Sequence, residues 1–366
     1  MGFLYKYILR PVLFRFKPEK MHNFFIHFGA FLGSNMTTKG LVGLFFHYQN
    51  PALEQEIAGI KFKNPVGLAA GFDKDANITN IAEDVGFGFM SVGTATNKPY
   101  AGNPSHRLWR LPKSKALVVD YGLKNIGIDK IAEKLKKRGD PDFPIFVSVG
   151  KTNSPGTVSD EAGIDDYCQC LKKVIEEGIG DAYEINISCP NAFGGESFAE
   201  PEKLDKLLAK IFSLPVGKPL FLKMPITLPF SEFKKLLDVA MRYRVTGVII
   251  GNLEKNYASP LLKEKIPDGI KGGISGKPCF NISNELISET KKYCGEKLII
   301  IGVGGIFSAE DAYEKIKRGA SLVQLITGMI YEGPQLIGEI NRGLVELLEK
   351  DGYKNIKKAI SSFHKF

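Results

Sequence analysis

The stretch LIIIGVGGIFSAEDAYEKIKRGASLVQLIT, residues 298–327, contains an apolar run, a glycine turn, an amphipathic segment and a second apolar run. The two runs, 298–304 and 321–327, are short, rich in Ile, Val and Leu, and flanked by Gly and Ser. That composition predicts strands. Between them, residues 308–319 place Ala, Tyr and Ile at helical spacing among charges. A strand, a helix and a strand are the repeating unit of a parallel sheet.

The same rhythm runs outward from this stretch. It predicts strands at 62–70, 88–94, 144–150, 182–188, 220–225 and 247–252, which with the two above makes eight. Amphipathic stretches between them predict helices at 78–86, 165–178, 201–212, 231–244, 284–294 and 308–319. Eight such steps imply an α/β fold of the (β/α)8 TIM-barrel type, with its site at the strand C-termini. No repeat or low-complexity tract interrupts this body, and the one boundary falls near residues 45–55. The reading is an N-terminal helical extension over 1–50 and a barrel over 51–366.

A chain of 366 residues with 44% hydrophobic content is long enough to bury one large core of this kind. Cys168, Cys170, Cys189, Cys279 and Cys294 form an odd set without a C-x-x-C pair, which argues against a disulfide framework or a zinc site and for a reducing compartment. Three of the five histidines lie in the first fifty residues, so a His-based catalytic device or metal site is not expected.

Residues 1–50 hold six Lys/Arg against a single acid, Glu19, mixed with Phe, Leu and Ile. The uncharged stretch 21–38 is too polar for a spanning helix, and no signal-peptide cleavage site follows it. Two short amphipathic helices on a bilayer surface fit this composition, and a cap packed on the barrel is the competing reading. No alternation of basic and aromatic residues through the body points to nucleic acid.

The strand ends carry the chemistry. Gly304 and Gly305 after the seventh strand, Thr327 and Gly328 after the eighth, and the GGISG turn with Ser275 and Gly276 offer backbone N–H groups and hydroxyls to a phosphate. A helix starting near Ser308 points its positive end the same way. Lys74 follows the first strand in AAGFDKDA, and Lys223 lies inside the fifth strand, where an ammonium needs an anionic partner such as an electron-rich ring. Asn186, Asn191 and Asn252 end strands, and amides can read a planar ring that both donates and accepts. Cys189, in NISCPN, is by itself most simply a small packed residue. Its position between Asn186 and Asn191 at a barrel rim also suits a base.

These residues resemble dihydroorotate dehydrogenase, in particular the membrane-associated, quinone-reducing class of that family. The resemblance covers nearly the whole chain and rests on NPVGLAAGFDKDA, GTATNKPYAGNPSHRLWRLP, NISCPN, GGISGKP and IIGVGGIFSAEDAYEKIKRGASLVQLITGMIYEGP. RPVLFRFKPEKMH is similar to the extension that forms the quinone tunnel in this class. The resemblance implies an FMN barrel in pyrimidine biosynthesis, in which dihydroorotate loses hydride to the flavin and a proton to a base, and quinone reoxidises the flavin. It assigns Ala70, Gly71, Lys74, Thr94, Asn186, Lys223, Ser275, Gly276, Gly304, Gly305, Thr327 and Gly328 to FMN. It assigns Asn186, Asn191, Asn252 and Lys74 to the substrate, His22 and Arg110 to the tunnel, and Cys189 to the base. It also implies a peripheral protein on the cytoplasmic side of the cell membrane.

The chain departs from the family in places. The quinone class carries serine at the base position, whereas the soluble class carries cysteine. The usual N-R-x-G-F-N reads VDYGLK, with Val119 for an asparagine and Leu123 for a phenylalanine. Leu253 and Ala192 each stand where threonine is usual, and Ser148 where an asparagine is usual. An unpaired buried polar group costs a ligand about 1–3 kcal/mol, so this wall keeps open a different small ring substrate. A non-catalytic flavin- or phosphate-binding barrel is the remaining alternative.

Overall fold

The structure is a computed structural model that describes residues 2–104, 106–140, 142–189, 191 and 197–364. Its centre is a closed barrel of eight strands, Val66–Leu68, Phe89–Ala95, Ile145–Val149, Ala182–Asn186, Leu220–Met224, Gly247–Ile250, Ile299–Val303 and Leu322–Leu325. Every neighbouring pair is parallel, and the eighth strand closes on the first through Val323, Gln324 and Leu325 opposite Val66, Gly67 and Leu68. Each strand falls within or across one of the eight predicted ranges. The first is shorter than expected, because Pro65 cannot donate to a ladder and Phe62 belongs instead to the hairpin Gln55–Ile57 and Ile60–Phe62.

That hairpin closes one barrel end. Phe62 stands edge-on to Phe89 at 5.4 Å between ring centroids. The inward side chains of the first layer are Phe89, Phe146, Ala182, Phe221, Ile249, Ile301 and Leu322. Each phenylalanine so buried stabilises the fold by about 1.5–3 kcal/mol. Side chains alternate along a strand, so two residues further on the same inner face carries Ser91, Ser148, Glu184, Lys223 and Gln324, all buried. The barrel interior therefore changes from aromatic to polar toward the strand C-termini. Gln324 Nε2 donates to Ser91 Oγ at 2.8 Å in this layer.

Helices Asp160–Glu176, Pro201–Ile211, Phe230–Arg242, Phe280–Cys294 and Ala309–Lys317 occupy the predicted stretches. The expectation of a helix at 78–86 is not met, and the chain there makes successive turns. Its bonds mix spans, with Ile81 N reaching Ile78 O, Val85 N reaching Ile81 O, and Gly86 N reaching Glu83 O. The stretch is bracketed by the buried Asp73 carboxylate, which accepts from Asn77 N and Ile78 N, and by Gly86 at φ 105°. These ties at both ends hold the backbone in turns of mixed span in place of a continuous i→i+4 ladder. An antiparallel side sheet of Leu108–Leu111, Ala116–Val119 and Gly273–Gly276 was not anticipated, nor were helices Ile128–Leu135 and Leu336–Lys350.

The N-terminal segment is helical in three parts rather than two. Turns Gly2–Leu4, Tyr5–Leu9 and Arg10–Leu13 run together, and helices Pro18–Leu32 and Met36–Phe46 follow. Tyr5 Oη donates to Ile330 O at 2.7 Å, Arg10 Nη1 donates to Tyr331 O at 2.9 Å, and Arg107 pairs with Glu19 at 2.8 Å. These contacts hold the helices over the C-terminal rim of the barrel.

Candidate active site

Strand geometry delivers the polar side chains to one rim. Asn186 ends its strand, Thr94 and Lys223 are each one residue short of a strand end, and Lys74, Cys189 and Asn252 follow strands within a few residues. They meet in a cavity of about 910 Å³ whose wall includes His22, Ala70, Gly71, Lys74, Thr94, Asn186, Cys189, Asn191, Lys223 and Asn252. A neighbouring cleft of about 540 Å³ adds Gly276, Gly304, Gly305 and Gly328 to Ala70, Lys223, Asn252, Ser275 and Thr327, which it shares with the first. Arg110 lies apart from both, on a third and largely apolar cavity of about 1360 Å³.

The amides are oriented by short bonds to the rim. Asn186 Nδ2 donates to Thr94 Oγ1 at 2.9 Å, and its backbone carbonyl accepts from Tyr167 Oη at 2.7 Å. Asn191 Nδ2 donates to Val119 O at 2.7 Å, and Asn252 Nδ2 donates to Ser188 O at 2.8 Å. Cys189 is half-buried between these residues, with its side chain on the cavity wall.

Lys74 and His22 stand where two cavities meet. Lys74 Nζ lies 3.1 Å from His22 Nε2 and 4.1 Å above the Tyr121 ring. Burial, together with the cations of Lys74 and Lys124, pushes the His22 imidazole down to about pKa 2. The ring is therefore neutral, and facing an ammonium its Nε2 accepts, which places the ring proton on Nδ1. Burial lowers Lys74 to about 8, partly offset by Asp75. His22 lines both the polar cavity and the apolar one, as do Phe72, Leu108, Leu117 and Ile330.

The third cavity runs beneath helix Pro18–Leu32, between Phe25, Phe28 and Leu32 on one side and Ile78, Ile81 and Ala82 on the other. Arg110 holds the turn that leads into this helix, donating to Phe16 O at 2.8 Å, with its guanidinium 4.4 Å above the Phe14 ring. The stretch expected as a barrel helix thus supplies part of an apolar wall.

One expectation about the glycine-rich end is corrected. At the helix after the seventh strand, Ser308 caps Asp311 N and Asp311 accepts from Phe307 N. The GGISG segment is not a free turn, because Gly273–Gly276 pairs with Ala116–Val119. Ser275 Oγ still reaches the cleft, 2.9 Å from Thr327 Oγ1.

Among the departures from the family pattern, Val119, Leu123 and Leu253 line the polar cavity. Ser148 lies below it, 3.0 Å from Thr94 Oγ1. Ala192 falls outside the described residues. Sequence reasoning missed Tyr121 and Lys124, which line the cavity, and Glu184, which lies 3.4 Å from Lys223. Only Glu184 had a usable signal. It sits two residues before Asn186, hence on the same strand face.

With this geometry in place, a comparison with known families decides the lineage. Residues 52–348 match the family model for dihydroorotate dehydrogenase. The chain belongs to the dihydroorotate dehydrogenase family. A Myxococcus xanthus protein named dihydroorotate dehydrogenase (quinone) is 36% identical over 370 residues, covering 98% of each chain. A Gloeobacter violaceus protein of the same name is 36% identical over 353 residues, covering 96% of this chain and 97% of its own. The crystal structure of the Eimeria tenella family member in complex with ferulenol superposes with a TM-score of 0.85 at 28% identity, covering 97% of this chain and 99% of that one.

The family is flavin-dependent, and the cleft fits such a group. Its floor is an ammonium, Lys223, shared by both cavities. Part of its wall is glycine, at Gly276, Gly304, Gly305 and Gly328. Gly276 has φ 96°, and a Cβ there would meet Thr327 Cγ2 at 2.9 Å. A Cβ on Gly305 would meet Phe280 Cβ at 2.5 Å. A Cβ at either position would collide with the protein's own chain, so glycine there lets the backbone, with its N–H groups, form the cleft wall beside the hydroxyls of Ser275 and Thr327.

Proposed function

We propose that this chain oxidises dihydroorotate to orotate on an FMN held in the glycine-lined cleft and passes the electrons to quinone in the apolar cavity, a step of pyrimidine biosynthesis. The observation that carries this reading is the shared wall. Lys74 and His22, 3.1 Å apart, stand where the cavity that carries Asn186, Cys189, Asn191, Lys223 and Asn252 meets the largely apolar cavity under helix Pro18–Leu32, and His22 lines both.

When bound, FMN supplies the two-electron acceptor that protein side chains lack. Gly304, Gly305, Ser275, Gly276, Thr327 and Gly328 are read as its phosphate cradle, with Ala70, Gly71, Thr94, Asn186, Lys74 and Lys223 against the rest of the group. Asn186, Asn191, Asn252 and Lys74 hold the substrate, and Cys189 takes the proton from its C5 carbon. His22 and Arg110 face the quinone. Residues 1–50 form the extension that covers the tunnel, and 51–366 form the catalytic barrel. The identity of the polar wall favours a ring with both donors and acceptors, even though Val119, Leu123 and Leu253 make one side apolar.

Peripheral attachment at the cytoplasmic side of the cell membrane is supported by the side chains that the extension exposes, among them Phe3, Tyr7, Phe31, Met36, Leu44 and Phe45. Lys and Arg residues on the same segment suit anionic lipid headgroups. Among the described residues, no helix is long and apolar enough to cross a membrane.

Mixing the protein with dihydroorotate without oxygen is expected to bleach the bound flavin, and added quinone to restore its colour. A flavin that stays yellow would sink the substrate assignment, and a protein purified without flavin absorbance would sink the cofactor assignment.

A pH dependence follows from Lys74. The free protein loses the Lys74 proton as pH rises through about 8, so the grip on an anionic substrate weakens above that point and is full below it. We expect kcat/KM for dihydroorotate to fall on the alkaline side of about 8. Lys74→Met should remove that limb and lower kcat/KM about 10- to 100-fold, as expected for losing a charged hydrogen bond of about 1.5–3 kcal/mol. An alkaline limb that survives in the variant would assign it to another group.

A further inference from the structure

We propose that Glu184 is a positioning residue for the electron-transfer steps, the counter-charge that holds Lys223 in place beside the flavin and keeps the flavin's reduction potential low. The proposal rests on the FMN reading above. Glu184 is fully buried, and it occupies the middle of strand Ala182–Asn186, facing into the barrel. Its Oε1 lies 3.4 Å from Lys223 Nζ and accepts from Ser148 Oγ at 2.9 Å. Its other oxygen has no hydrogen-bond partner among the described residues.

A buried ion pair is seldom worth having for stability alone, because two apolar residues of the same size do as well. Here the pair is set directly beneath the site. Lys223 is the ammonium common to the two polar cavities, and the layer below it is aromatic. A bare lysine at that point would add a full positive charge beside the flavin and make it easier to reduce. Glu184 cancels most of that charge and fixes the direction in which the ammonium can donate.

The carboxylate also orders the hydroxyls above it. Because an ionised carboxylate only accepts, Ser148 must donate to Glu184. The Ser148 oxygen then accepts from Thr94 Oγ1, 3.0 Å away, and Thr94 accepts from Asn186 Nδ2 at 2.9 Å. Every proton in the chain from Asn186 to Glu184 points down toward the charge. The orientation of the Asn186 amide, and so what it presents to a ligand, is set from beneath.

Glu184→Gln, which keeps the shape and removes the charge, tests this. The first measurement is flavin content, and a full-length wild-type protein that holds no flavin defeats the underlying reading and this proposal with it. With flavin bound in both proteins, the potential is measured against a reference dye at pH 6. We expect the variant to be the easier to reduce, by at least tenfold in the reduced-to-oxidised ratio at equal dye poise, ~30 mV for a two-electron couple. Reoxidation by quinone should slow correspondingly. An unchanged potential overturns the proposal. If Glu184→Gln fails to fold, the double variant Glu184→Gln with Lys223→Met decides. Recovery of a cooperative thermal transition is expected when both charges are gone, and continued failure would show that Glu184 serves something other than Lys223.

Discussion

Replacing Cys189 by alanine is expected to slow reduction of the bound flavin by dihydroorotate about 10²- to 10⁴-fold, the range for loss of a positioned general base. Flavin content should be unchanged. The thiol lies on the wall of the polar cavity between Asn186 and Asn191, on a rim shared with Lys74. Removing a proton from carbon needs a group that is partly anionic near neutral pH, and cysteine reaches that state far more readily than serine. Cys189→Ser should therefore react only at higher pH. Stopped-flow bleaching at several pH values measures both variants. If Cys189 only packs, the alanine variant loses some stability and no rate, and an undiminished rate would remove it from the mechanism.

Gly29→Phe is expected to raise the KM for quinone while leaving flavin reduction by dihydroorotate unaltered. Gly29 lies on the inner face of helix Pro18–Leu32, and a Cβ there would already touch Ile78 Cγ2 at 3.0 Å. Its neighbours across the gap, Ile78 and Ile81, are themselves on the wall of the apolar cavity. The added ring must either enter that cavity or push the helix away, and overpacking of this kind costs about 1–3 kcal/mol. Expressed in binding, that is about a 5- to 150-fold weaker quinone complex. The polar cavity lies beyond His22 and should not sense the change. Steady-state rates with quinone against a small soluble acceptor separate the two effects. Equal losses with both acceptors would place the quinone elsewhere.

Much of the barrel was legible because its strands are buried on both faces. Runs such as 298–304, apolar throughout, and 220–225, apolar apart from Lys223, are bounded by Gly or Pro, a pattern that survives whatever the tertiary context. The side sheet was not legible. Leu108–Leu111 and Ala116–Val119 form a short local hairpin without a clear alternation, and Gly273–Gly276 joins it from far away in the chain, so little local pattern marks the sheet. The segment 78–86 misled for a related reason. Its apolar spacing matches a helix, but those side chains answer to helix Pro18–Leu32 packed over them and not to the barrel sheet.

The candidate site divides in the same way. Residues that differ from their surroundings in type could be singled out, as with Lys223 in an apolar strand or Cys189 between two asparagines. Glu184 was passed over because the partner imagined for Lys223 was a ligand ring. The buried carboxylate one strand away became visible only when the register placed Asn186 opposite Lys223 and so brought Glu184 alongside.

By itself the sequence determined the eight-strand rhythm, the rim on which the chemistry sits, and the separateness of a basic, aromatic extension. Those features are written in local periodicity and composition, which folding preserves. Only the tertiary structure decided that His22 and Lys74 touch, that the turn at 78–86 lines an apolar cavity, and that Lys223 rests on Glu184. Each of these joins residues far apart in the chain. Such contacts are set by barrel register and helix docking, which no local pattern encodes.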